Sequence, residues 1–254
     1  MGLFLLRIIP AITAFLSLLA AYWQWIHPLS YPWPLVWFGA WVVLASCILA
    51  WRHFSVSDGL DKFMPPFLTL LSLGLGFLVV DSFFGRLTLT ILFVGIPYFF
   101  FELLFFLIHA PARYPVSGLS RFNIALVPIA TIFLAASLDG LSVGLRLPWW
   151  MIIEALSLFG AAMFFFTAHP TAKGTHRLRW SLLGALVGMH IGILELILPL
   201  SMMAQGALAA FFLFIPLRLR RYFYQPKPTR RVAWSEAVLA VACFLAVLIS
   251  ARWI

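Results

Sequence analysis

Residues Thr88–His109 read TLTILFVGIPYFFFELLFFLIH, and this run decides the class of fold. Its only acid is Glu102, and its only other ionisable groups are Tyr98 and the closing His109. As an α-helix it would be about 33 Å long, enough to cross a hydrocarbon layer of about 30 Å. Working outward, runs of the same kind lie at 3–26, 34–51, 64–83, 122–138, 148–168, 179–198, 202–217 and 232–251. The links between them are too short to fold alone. The chain therefore reads as an all-α integral membrane protein, a polytopic bundle of about nine transmembrane helices forming one domain over 1–254. The shortest run, 202–217, follows 179–198 so closely that the two form a tight hairpin across Pro199 and Ser201.

Composition agrees with that reading. The chain is 64% hydrophobic and only 10% charged, where a soluble domain is near half apolar and a quarter charged. A net charge of +9 raises the question of nucleic acid. The charges answer it by alternating loop by loop. With the N-terminus inside, every Lys and Arg except Arg86, Arg146 and Arg252 falls on the inner side, as the positive-inside rule requires. The expected topology is N-in, C-out, in a bacterial inner membrane, with membrane lipids and further membrane proteins as partners and no nucleic acid. The densest basic segment, Arg218 to Arg231, reads as an anchor against anionic headgroups. The first run is longer than a signal sequence and no small-residue cleavage site follows it, so it reads as a retained helix. Cys47 and Cys243 both lie within runs and form no CxxC, so packing is their expected role.

A faint repeat runs through the chain. Pro32-Trp33 matches Pro148-Trp149, Asp81 matches Glu195, Arg113-Tyr114 matches Arg221-Tyr222, and Phe133-Leu134-Ala135 matches Phe244-Leu245-Ala246. The offsets are about 110 residues, which would make halves 34–139 and 148–254, a parallel four-plus-four repeat after one extra helix.

The seventh run carries Gly184, Gly188 and Gly192 at intervals of four. Small residues at that spacing admit another helix at close range in lipid. Glu195 follows on the same stripe, so its carboxylate is expected to face protein. Ionisable groups inside a membrane are costly and default to functional hypotheses. Asp81, Asp139, Glu154 and Glu195 all fall in the outer half, with His190 near mid-depth, and together they could line an outward-facing acidic pocket. The plainer reading pairs Asp81 with Arg86 and Asp139 with Arg146. In the inner half, Glu102, His109 and Arg113 share one helix stripe. A helix dipole accounts for the last two, while Glu102 has no partner in view. His169, Lys173, His176, Arg177 and Arg179 make a basic loop able to receive a phosphate or pyrophosphate headgroup. No HExxH or HxxxH is present, and His190 and Glu195 sit about 140° apart round a helix, so no metal site is expected. No cofactor is identified. The leading function is a small transporter or channel, or the membrane-embedded subunit of a larger complex. An intramembrane enzyme acting on a lipid or isoprenoid-linked substrate and a structural packing subunit are the alternatives.

Overall fold

A computed structural model describes residues 2–220 except 51, 52, 116, 169–173 and 199, and beyond them residues 234, 237, 238, 241, 242 and 245. The described residues form eight helices long and apolar enough to cross a membrane. These are α1 (Gly2–Ile26), α2 (Trp33–Ala50), α3 (Val56–Val79), α4 (Phe83–His109), α5 (Gly118–Leu145), α6 (Trp149–Phe166), α7 (Gly174–Ile197) and α8 (Met202–Arg220). The ninth expected span, 232–251, lies mostly outside the described residues. Helices are the form such apolar runs must take, because lipid offers backbone amides and carbonyls no partner outside the segment.

Contacts divide the chain into two compact units, Met1–Leu126 and Val127–Ile254, with the division inside α5. This partition differs from the repeat halves 34–139 and 148–254. In the first unit, α1, α2 and α3 all pack on α4. The buried face of α4 supplies Leu89, Phe93, Phe100, Phe101 and Leu104. Phe93 meets Phe38 of α2 at 5.0 Å and Phe77 of α3 at 5.7 Å between ring centres, and Phe100 meets Phe63 at 5.4 Å. Trp41 Nε1 donates to Thr13 Oγ1 across α1 and α2 at 3.0 Å. Helix starts are set by hydroxyl caps: Ser55 Oγ accepts from the Asp58 amide and Ser82 Oγ from the Gly85 amide, each at 3.2 Å. The Ser55 cap starts α3 at Val56, eight residues before the apolar run at 64, so about two further turns, carrying Asp58, Asp61 and Lys62, are helical.

In the second unit α6 and α7 lie antiparallel with their backbones in close contact. Gly184 sits against the Gly160 carbonyl, Gly188 against the Leu156 carbonyl, and Gly192 against Ile153. A Cβ at any of the three would collide with main chain of the neighbouring helix. Two hydroxyls bridge the same seam: Ser157 Oγ donates to the Ala185 carbonyl and Ser181 Oγ to the Ala161 carbonyl, both at 3.1 Å. The glycine stripe is thus occupied by α6 of the same chain. A second close approach places Gly206 of α8 against the Ile132 carbonyl of α5.

Candidate functional site

The end of α7 gathers the most unusual chemistry. Because Gly184, Gly188 and Gly192 turn one face of α7 into the protein, Glu195 on the same stripe is carried inward and is only 9% exposed. Neither of its carboxylate oxygens has a hydrogen-bond partner among the described residues. Gln205, in the first turns of α8, faces it and is 6% exposed. The amide nitrogen of Gln205 donates to the Glu195 carbonyl at 3.2 Å and to the Leu198 carbonyl at 2.9 Å. Both are main-chain acceptors at the end of α7, and the Leu198 carbonyl also accepts from the Leu200 amide at 2.9 Å. With its NH2 committed there, Gln205 turns its Oε1 to a buried position where it too has no partner among the described residues.

Glu195 and Gln205 line one recess, whose other walls are Ile191, Leu194, Leu198, Leu208, Ala209 and Phe212. The recess admits a single water-sized species. Asp139 of α5 is half-buried and within electrostatic reach of Glu195. Glu195 and Gln205 are the polar members of a lining whose surface is almost wholly apolar, and no Lys, Arg or His is among the described residues that line it. Buried oxygens of this kind are costly without a donor hydrogen, a proton or a cation.

The other sequence candidates lie elsewhere. Asp81, between α3 and α4, is exposed and pairs with Arg86 at 2.7 Å, while Arg86 Nε also donates to the Val80 carbonyl at 3.0 Å. This clamps the loop locally. Asp139 and Arg146, the other short-range pair, form no ion pair; Arg146 sits at φ 53° just past α5. Glu154 is exposed on α6. His190 is exposed on α7, its Nδ1 2.7 Å from the Leu186 carbonyl of its own helix. Asp81 belongs to the first unit and Asp139, Glu154, His190 and Glu195 to the second. Within the second, Glu195 with Asp139 nearby forms the buried acidic site, and Glu154 and His190 lie on exposed surface.

Glu102, which has no partner in view along the sequence, pairs with Arg7 of α1 at 2.8 Å. The Arg7 guanidinium also lies over the rings of Phe105 and Phe106, at 5.1 and 5.0 Å. Below them His109 stacks against Phe105 and meets His53 edge-on at 5.7 Å. Of the basic headgroup loop, His169 and Lys173 lie outside the described residues, while His176 and Arg179 are exposed and Arg177 half-buried at the start of α7. Among the described residues no three of His, Cys, Asp and Glu come together as a metal ion would require.

Gln205 and Arg7 are the neighbours of the two carboxyls that reading along the sequence misses. The only signal for Gln205 is an amide in the otherwise apolar opening of α8, a few residues across a hairpin from Glu195. No family model, curated protein or solved structure matches this chain.

Proposed function

We propose that this multi-pass membrane protein is a small transporter or channel in which a proton or small monovalent cation is handled at Glu195. The observation that carries this reading is Glu195 itself, a nine-tenths buried carboxyl with both oxygens unpartnered among the described residues. A carboxyl kept in a bundle only for packing would be held by donors, as Glu102 is by Arg7. The alternation of basic loops supports an N-terminus on the cytoplasmic side of a bacterial inner membrane. On that topology Glu195 and Asp139 lie toward the outer face, so the site would load from outside.

The test is ion movement in liposomes carrying the purified full chain and a trapped pH-sensitive dye. An imposed Na+ or K+ gradient should change internal pH faster than in empty liposomes. Glu195→Gln should abolish the difference, and Glu154→Gln, on the exposed face of α6, should leave it. Rates that are the same for wild type, Glu195→Gln and empty liposomes would overturn the proposal.

A further inference from the structure

We infer that the ion bound at Glu195 is a proton, carried on the carboxyl itself, and that Asp139 of α5 is the second carboxyl through which it exchanges with the outer face. The inference rests on the reading of Glu195 as an ion-handling group and names the ion and its route.

The surroundings of Glu195 select the ion. The recess it lines is almost wholly apolar, and Gln205 is the only other polar residue in that lining. Hard metal ions take about six oxygen ligands, which this lining cannot assemble. An ionised carboxylate buried without a donor is far more costly than a neutral carboxyl in the same place. Gln205 supplies no such donor. Its nitrogen faces the Glu195 and Leu198 carbonyls, where only a donor can serve, so its other end is an acceptor. That Oε1 is buried and has no partner among the described residues. The two side chains therefore offer the recess acceptors alone, and a proton on Glu195 is the one hydrogen that makes a donor of either.

The charged groups of the surrounding helices leave Asp139 as the exchange partner. Glu154 of α6 is exposed, and His190 of α7 is exposed and tied to the Leu186 carbonyl. His176, Arg177 and Arg179 lie in the first two turns of α7, at its far end. The first cation of α8 is Arg218, thirteen residues and about 20 Å from Gln205. Asp139 is half-buried and within electrostatic reach of Glu195. Its height follows from a backbone contact. Gly206 of α8 sits against the Ile132 carbonyl of α5, and three reversals of direction separate these helices, so they run antiparallel. Asp139 lies seven residues beyond Ile132, about 10 Å, which carries it past Gln205 to the level of the turn joining α7 to α8. On the proposed topology that turn is at the outer side. A proton from outside would bind the Asp139 carboxylate and pass to a Glu195 that has released its own, leaving Asp139 ionised again and Glu195 neutral.

The test is infrared absorption of the full-length protein in lipid films at neutral pH, with exchange from H2O to D2O. Wild type should show the carbonyl stretch of a neutral carboxyl, moved to lower frequency in D2O. The band should be missing in Glu195→Gln and present in Glu154→Gln and Asp139→Asn. A second measurement follows internal pH in liposomes under a K+ diffusion potential, set with valinomycin in a Na+-free medium. Glu195→Gln should abolish the response, and Asp139→Asn should slow it by roughly tenfold or more. The wild-type spectrum needs no variant, so the inference is testable even if a variant misfolds. Absence of the band from wild type, a band of undiminished size in Glu195→Gln, or a pH response that requires Na+ would overturn it. Asp139→Asn responding as fast as wild type would overturn the route. Glu195-dependent ion movement without the band would leave the functional proposal standing and remove this inference. A Glu195-dependent band without any ion movement would do the reverse.

Discussion

Two carboxylates that look alike along the chain have opposite surroundings. Glu102 is matched by Arg7, and Glu195 is matched by nothing among the described residues. The first is a structural contact and should behave as one. Arg7→Gln and Glu102→Gln should each cost about 1 kcal/mol, and the double variant should cost less than their sum, since each removes the other's partner. Thermal unfolding of the four proteins in one detergent measures the coupling, and strictly additive losses would show the pair to be idle. Asp81 and Arg86 could be paired by inspection because five residues separate them. Arg7 and Glu102 could not, because the register between two helices is invisible in hydropathy. Tyr31 offers a check outside the membrane-spanning segments. Burial pushes its phenol above the ordinary value of 10. The unfolded chain therefore loses that proton first as pH rises, so stability should fall between pH ~9 and ~11, and fall less steeply in Tyr31→Phe. Equal slopes for the two proteins would show that Tyr31 is solvated.

Among the helices, α6 and α7 depend on three hydrogen atoms where side chains would otherwise be. Gly188→Leu must force a side chain into the Leu156 carbonyl and should cost roughly 3 kcal/mol or more, read as loss of monodisperse protein on size exclusion. Gly95→Ala in α4 is the control: a Cβ there meets nothing within 4 Å. Its thermal midpoint should hold or rise slightly, since alanine favours a helix by up to about 1 kcal/mol over glycine. A tolerated Gly188→Leu would mean the hairpin is looser than its backbone contacts indicate. The helices themselves were legible because hydropathy is local, and the glycine stripe was legible because it is periodic. The start of α3 was not, since its first turn is capped by Ser55 and carries charge. The end of α5 was missed for the same reason. The helix runs on to Leu145 through Asp139, which places that acid inside a helix and not at its edge. The site at Glu195 was half legible. The stripe directs the carboxyl inward, while the hairpin geometry that brings Gln205 under the end of α7 leaves no periodic trace.

At the scale of the whole molecule, helix order predicts which loops share a side. Ser30 and Arg146 should lie on one face of the membrane and Ala112 on the other. In a Cys47→Ser, Cys243→Ser background, Ser30→Cys and Arg146→Cys should react with an impermeant maleimide added outside intact cells, and Ala112→Cys only after lysis. Labelling of all three from one side would refute the span count between them. The pairing of Arg7 with Glu102 also has a consequence in time. Translation proceeds at about 5–20 residues per second, so the partner of Arg7 is made roughly 5–20 s after it. For that interval α1 carries a guanidinium with no carboxylate and no α4 to pack on. The newborn first helix must wait near the headgroups, its arginine in water, and completes its descent only when the fourth arrives.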